Sequence, residues 1–223
     1  MQAFDYRPFD RDIWEKELET FVPDVVYDMH THMWSERHKG SLEDPPTGLR
    51  VEFGYQDHLR WAEDLYPGRE MHYLVLGTPI LGGMDIEGHN AWMAEQVSPD
   101  PASVVNMLVT PDMTPEYVAE QVEKHRFFGL KPYRIFAPDM TNGRIRDFMP
   151  EALIEVAHDM GLAITMHLSK KTGPADPDNQ KDLKGYTSKY PGAQCPGALR
   201  QGIQCVHDGR GDSFSQRSAQ HLV

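Results

Sequence analysis

The sequence is short of cysteine, of positive charge and of long apolar runs, and each shortage excludes a class of protein. Its two cysteines, Cys195 and Cys205, lie close to the C-terminus, which is not the pattern of a disulfide-stabilised secreted domain, so we interpret them as reduced thiols. The chain has 22 Lys and Arg against 34 Asp and Glu, a formal net charge of −12. Nucleic acid and anionic membranes are therefore not its expected partners, and a small-molecule ligand fits better.

Signals for membranes, export and nucleotides are also missing. No run approaches about 18 consecutive apolar residues, which argues against a membrane-spanning helix. The first residues are dense in charge and contain no apolar core of a secretory signal, so we expect a cytoplasmic protein. No G-x-G-x-x-G or G-x-x-x-x-G-K-[ST] motif follows an apolar run. A homo-oligomer is compatible with these features.

Five compact apolar runs, separated by helical segments, organise the chain. The clearest helix is predicted over Pro150–Met160, ended by Gly161. Another is predicted from Thr114 to about Phe128, ended by Gly129. A strand and a helix repeated about every 30 residues predict an α/β fold with a parallel sheet, closed as a (β/α)8 barrel or open and doubly wound. The five predicted strands are Val25–Met29, Met71–Leu76, Val104–Val109, Leu130–Phe136 and Leu162–Met166.

The pattern stops past Tyr190, where Gly, Gln, Ser and Arg dominate and no β-branched run occurs. We expect no ordinary strand there, so residues 1–190 form the N-terminal part of a barrel and residues 191–223 an irregular tail. Only 56 of the 223 residues follow His167, whereas three more βα units would need on the order of 90. The sequence therefore predicts an incomplete (β/α)8 barrel of about five βα units. We interpret the tail from about Gln194 as a C-terminal truncation, from a foreign reading frame or an alternative splice.

The strongest chemical signal is the sequence DMHTHMW over residues 28–34, at the carboxyl end of the first apolar run. The strand period of two predicts that His30 and His32 share a face. The carboxyl ends of the strands form the active-site mouth of a βα barrel, so two imidazoles there can hold one metal ion. Zinc suits them best, and iron or manganese are alternatives. The competing interpretation is that two histidines merely alternate in a strand.

His167 is the second signal, because it ends the fifth apolar run. Strands one and five face each other across the mouth of an eight-stranded barrel, so His30, His32 and His167 would converge there. Three imidazoles and a water molecule make an open catalytic zinc site. Taken singly, His167 fits a pocket or core histidine better.

Together these motifs resemble the amidohydrolase superfamily, in particular its amidohydrolase-related branch (amidohydrolase 2 type) of metal-dependent hydrolases and decarboxylases. The matching segments are His30-Thr31-His32, Gly129–Tyr133 at the fourth strand and Ile164–His167 at the fifth. The resemblance spans about Asp24 to Tyr190. It implies one divalent metal ion held by the three histidines, an aspartate after the eighth strand and a histidine after the sixth. The last two have no counterpart in this sequence.

The resemblance implies a metal-dependent hydrolase in which activated water attacks an amide, ester or lactone carbon. The alternatives are a non-oxidative decarboxylase of the same family and a catalytically inactive fragment. Lys131 lies near the beginning of the predicted fourth strand and is followed by proline. We interpret it as an interior charge or substrate contact rather than as the carbamylated lysine that bridges two metals in related dinuclear enzymes. Trp34 is a second predicted substrate contact, although packing is the simpler interpretation, and no catalytic acid or base is assigned.

The remaining histidines are expected to be solvated groups in helices or loops, and the spacing of the C-terminal cysteines and His207 is not that of a zinc finger or ribbon. Those histidines include His58, His72, His89, His125 and His158.

Overall fold

A computed structural model of the chain describes residues 7–40, 52–79, 83–193 and 203–206. Strands and helices alternate along it, which confirms a parallel α/β fold; closure into an eight-stranded barrel stays a prediction. Within the described ranges no helix is both long enough and apolar enough to cross a bilayer. The elements are α1 (Pro8–Ile13), β1 (Val25–Met33), α2 (Tyr55–Leu65), β2 (Glu70–Gly77), α3 (Ile86–Val97), β3 (Val104–Val109), α4 (Pro115–His125), β4 (Gly129–Pro132), α5 (Ile145–Phe148), α6 (Glu151–Asp159), β5 (Ala163–His167), α7 (Pro177–Lys189) and β6 (Ile203–Val206).

The chain divides into two compact units, Met1–Val105 and Asn106–Val223. In the first unit β1 and β2 pair in parallel along their whole length. The middle of β2 is buried on both faces, as expected of a continuous apolar strand in a parallel sheet. In β1 burial increases from the amino end, where Val25 and Tyr27 are exposed, to the carboxyl end, where Met33 is fully buried.

In the second unit the Asn106–Val109 part of β3 pairs with β4, and β4 pairs with β5, all in parallel. Gly129 is required at the start of β4, because a Cβ atom there would lie 2.2 Å from the carbonyl oxygen of Ala163 and 2.7 Å from Oδ1 of Asn106. The core of this unit is apolar, with Leu130 and Ile164 fully buried. Helix α4 begins as predicted, with the Thr114 side chain accepting a hydrogen bond from the first turn.

Three boundaries differ from the prediction. The first strand extends to Met33 rather than ending at Met29, so it includes His30 and His32. The fourth strand ends at Pro132 rather than Phe136, and a 3-10 turn over Arg134–Phe136 follows it. Proline has no backbone N–H to donate to a ladder, which accounts for the early end. Helix α4 ends at Arg126, which adopts a left-handed conformation with φ of 56°, so the glycine three residues later is not its stop.

The expectation that no strand occurs beyond Tyr190 was wrong. Residues 203–206 form β6, which pairs in parallel with β5 from Ile164 opposite Ile203 to His167 opposite Val206. The edge of a strand offers unpaired backbone groups, and the short alternating segment IQCV is enough to pair with them. Cys195 and His207 lie outside the described residues, and the domain boundary at residue 190 stays a prediction.

Candidate active site

The histidine pair of β1 is held at the separation that a shared metal ion requires. The Nε2 atoms of His30 and His32 lie 3.3 Å apart, and the ring centroids are 5.1 Å apart with an interplanar angle of 66°. Two nitrogen atoms, each about 2.0–2.1 Å from a tetrahedral zinc ion, are about 3.3–3.4 Å from each other. Both side chains are half-buried. The pair therefore fits two neighbouring ligand positions of one zinc ion.

A β-bulge in β1 lies at the histidine pair. Asp28 lies opposite Tyr73 and Thr31 lies opposite Val75, so β1 takes three residue steps where β2 takes two. The backbone N–H of His30 donates to Oδ1 of Asp28 at 2.9 Å. Bulges redirect side chains and often lie next to functional sites. The regular alternation assumed from the sequence is thus interrupted at the pair, and the two rings nevertheless meet.

His58, on α2, donates a hydrogen bond to the end of β1. Its Nε2 lies 2.8 Å from the carbonyl oxygen of His32, and since a carbonyl only accepts, Nε2 carries the proton. Its Nδ1 is 3.4 Å from Oγ1 of Thr31. Burial lowers the pKa of His58 below its ordinary value, which favours the neutral ring. The expectation that His58 is a solvated surface group was wrong.

His89, on α3, is also buried rather than solvated, with no exposed surface. Its ring stacks on Trp92 at 5.6 Å between centroids and lies 6.0 Å from the ring of His38. Within the part of the chain that the structure describes, both ring nitrogens of His89 and Nδ1 of His38 are without a hydrogen-bond partner. Burial lowers the pKa of His89 to about 3. The ring is therefore neutral in the folded protein near neutral pH.

The third misassigned histidine, His72, belongs to a polar cluster at the amino end of β2. We call it the basal cluster; it consists of Tyr55, His72, Asp100 and Ser103. Oδ2 of Asp100 accepts hydrogen bonds from the Tyr55 hydroxyl at 2.5 Å, the Ser103 hydroxyl at 2.6 Å and Nδ1 of His72 at 2.8 Å. The hydrogen bond to Asp100 is the main cause that raises the pKa of His72. Nε2 of His72 faces Glu70 at 3.0 Å, so both ring nitrogens are used.

In the second unit, Lys131 is fully buried. Its Nζ lies 4.6 Å from the centre of the Tyr133 ring and has no hydrogen-bond partner among the described residues. Burial lowers its pKa to about 7. The Tyr133 ring in turn lies 5.4 Å from the ring of His167. Lys131 is the third of four residues in β4, so the expectation that it lies near the beginning of the strand was wrong.

The predicted site residues therefore fall into two groups. His30, His32 and Trp34 belong to the first unit, and Lys131 and His167 belong to the second. In residues 7–40, 52–79 and 83–193, no three side chains of His, Cys, Asp or Glu are arranged to hold a metal ion. The convergence of His167 with the pair stays a prediction. Trp34 is fully buried in an apolar cluster with Phe53, Trp61 and Met84, as its packing interpretation requires, and its contact with substrate also stays a prediction.

Helical spacing carries a signal that could have revealed the buried histidines. His58 lies three residues after Tyr55 and four before Ala62, and all three are buried. His89 lies four residues before Met93 on the buried face of α3. A histidine on the apolar face of an amphipathic helix is directed toward the protein interior. The positions were therefore predictable, although their hydrogen-bond partners were not.

Comparison with known proteins adds little to this geometry. No family model matches the chain, and no curated protein matches it. One similar solved structure is described as a probable 2-pyrone-4,6-dicarboxylic acid hydrolase from Acinetobacter baumannii with citric acid bound. The chain shares 13% sequence identity with it at a TM-score of 0.48, and the match covers 71% of this chain and 65% of that one. A similarity this low identifies neither family nor function.

Proposed function

We propose that this chain is a metal-dependent hydrolase of the amidohydrolase-related type. His30, His32 and His167 would hold one divalent ion, zinc first, with iron or manganese as alternatives. The observation that carries the proposal is the 3.3 Å separation of the two Nε2 atoms, which equals the spacing of two ligands on tetrahedral zinc. The half-buried position of both rings at the carboxyl end of β1 supports it.

A zinc ion in this position would act as a Lewis acid toward a carbonyl group and lower the pKa of a water molecule. The chain's own residues would supply the remaining functions. Lys131 would contact the substrate, because a buried amine without a hydrogen-bond partner gains most from a negatively charged or carbonyl group. Trp34 would contribute an apolar wall. The expected partner is a small molecule carrying an amide, ester or lactone group.

A non-oxidative decarboxylase is the second candidate, and Lys131 is the observation that favours it. An amine whose pKa is lowered to about 7 can both attract a carboxylate and deliver a proton near neutral pH. The same buried amine would stabilise negative charge that develops as carbon dioxide leaves. Panels of lactones, esters and amides on one side and of aryl and enoic carboxylates on the other distinguish the two reactions.

The proposal is tested by elemental analysis of the purified full-length chain after incubation with zinc, iron or manganese and removal of excess metal. We expect about one equivalent of bound metal. The double variant His30→Ala/His32→Ala should lose it. His125→Ala, a half-buried histidine on α4, is the matched control and should keep it. Metal content that is the same in the double variant would contradict the ligand assignment, and a wild-type chain that holds no metal would indicate an inactive fragment.

A further inference from the structure

The side chain of His58 lies outside the His30/His32 pair and is hydrogen-bonded to the backbone that carries the pair. The Nε2–H of His58 donates to the carbonyl oxygen of His32 at 2.8 Å. This hydrogen bond crosses from helix α2 to strand β1, 26 residues apart in sequence. It reaches β1 just after the bulge, where His32 again lies in register opposite Leu76 of β2. The helix therefore holds the end of β1 that carries the histidine pair.

Side chains satisfy backbone groups at both histidines of the pair. An extra residue in one strand leaves backbone groups without their ladder partners. The side chain of Asp28 takes up the N–H of His30 at 2.9 Å, and the ring of His58 takes up the carbonyl of His32. The two backbone positions that carry the paired imidazoles are thus each held by a side chain.

We propose that His58 is a positioning residue for the His30/His32 pair. By holding the His32 carbonyl, it keeps the two Nε2 atoms at the separation that one metal ion requires. This inference rests on the proposed function, because it concerns the same metal site. It assigns to His58 no contact with metal or substrate.

The surroundings of His58 argue against a role in packing alone. Its ring lies between three aromatic rings, at centroid distances of 5.7 Å from Phe53, 5.5 Å from Trp61 and 5.6 Å from Tyr73. An apolar side chain would fill such an environment without the cost of burying polar nitrogens. The imidazole is needed for its hydrogen bonds, and both of them point at β1, to Thr31 and to His32.

The backbone of His58 is also held by a hydrogen bond. The Tyr73 hydroxyl, on β2, donates to the backbone carbonyl of His58 at 3.2 Å. Burial raises the pKa of Tyr73 to about 12, so this hydroxyl keeps its proton at any physiological pH. Tyr73, His58 and His32 form a chain of hydrogen bonds in one direction, from β2 through α2 to β1. A rigidly held donor is what a positioning role requires.

Variants of His58 in the full-length chain separate the donor from the ring. His58→Gln keeps an N–H near the position of Nε2, His58→Asn has an amide too short to reach the His32 carbonyl, and His58→Phe keeps a ring without a donor. Zinc affinity is measured by competition with a chromogenic chelator, and thermal unfolding of the metal-free chains is recorded in parallel. Trp61→Phe is the matched control, because it alters the packing around His58 and leaves the donor intact.

We expect zinc affinity to fall about 10- to 100-fold in His58→Phe and His58→Asn, the usual effect of losing support behind a metal ligand. His58→Gln and Trp61→Phe should stay within about threefold of wild type. Equal affinity in all variants, or a loss in His58→Gln as large as in His58→Phe, would overturn the inference while leaving the metal site intact. A wild-type chain without zinc affinity would overturn the proposed function itself, and the inference with it. If His58→Phe does not fold, the comparison of His58→Gln with His58→Asn decides.

Discussion

The first unit has polar groups at both ends of its strands. At the amino end they are hydrogen-bonded to one another, and at the carboxyl ends several have no partner among the described residues. In the basal cluster, at the amino end of β2, the carboxylate of Asp100 accepts from Tyr55, His72 and Ser103, and its second oxygen accepts the backbone N–H of Ala102. At the carboxyl ends, several buried polar atoms have no hydrogen-bond partner in the described part of the chain. They are Nε1 of Trp34, Nδ1 of His38, Oγ1 of Thr78 and both ring nitrogens of His89.

The two ends differ in how completely their buried polar atoms are satisfied. A buried polar atom without a partner costs about 1–3 kcal/mol, so a sequence selected for stability alone would satisfy it or replace it. The basal cluster follows that rule. At the carboxyl ends the atoms named above have no such partner among the described residues. The second unit shows the same feature after β5, where Oγ of Ser169 and Oδ1 of Asn179 are buried and unpaired among the described residues.

The basal cluster should show the largest loss of stability on mutation. In Asp100→Asn an amide replaces a carboxylate that three side-chain donors share, so at least one donor loses its acceptor. We expect the free energy of unfolding to fall by about 3 kcal/mol, measured by urea denaturation. Asp64→Asn, at an exposed position on α2, is the control and should change stability by less than about 0.5 kcal/mol. A loss below about 1 kcal/mol in Asp100→Asn would remove the contrast between the two ends.

His89 should make the stability of the folded chain sensitive to acid. Its pKa falls from an ordinary 6.5 to about 3 on folding, so between those values the unfolded chain binds a proton that the folded chain does not. Stability is therefore lost as pH falls below 6.5, by about 2 kcal/mol at pH 5. Burial is the main cause of this lowered pKa, His38 lowers it further, and only Asp85 opposes the shift.

His89→Leu removes this titration and fills the same apolar environment. We expect the variant to be at least as stable as wild type at pH 7.5 and more stable by about 2 kcal/mol at pH 5, measured by urea denaturation at both pH values. His125→Leu is the control on α4 and should follow the wild-type pH dependence. An unchanged acid response in His89→Leu would show that the buried ring already finds a partner.

The contribution of His72 to stability should change with pH in the opposite direction to that of His89, and by the smallest amount. Its pKa is raised on folding, first by the hydrogen bond to Asp100. The stability it contributes is fully present below its unfolded pKa and is lost as pH rises through its folded pKa. His72→Gln should abolish that decline, with an effect of about 1 kcal/mol or less because its second partner, Glu70, is exposed. Unfolding measured from pH 5.5 to 8.5 tests the sign, and an equal decline in the variant would contradict the assignment.

Much of the fold could be predicted because it depends on local pattern. Each of the five apolar runs became a parallel strand, since continuous apolar segments are stable only when buried on both faces of a sheet. Two elements, β4 and β6, differ from what the apolar pattern predicts. Pro132 ended β4 early, and a four-residue segment formed β6 although nothing near it resembles a strand in composition.

The candidate site was predicted less completely. His30 and His32 were found because a strand places alternate residues on one face, and the structure places their Nε2 atoms 3.3 Å apart. His58 and His89 were missed because their role depends on which atoms of other elements they meet. The sequence by itself determined the order of strands and helices and the position of the histidine pair, since both follow from periodicity along the chain. Only the tertiary structure decided the bulge in β1, the hydrogen bond from His58 and the burial of His89 and Lys131, because strand register and helix packing bring together residues that are distant in sequence.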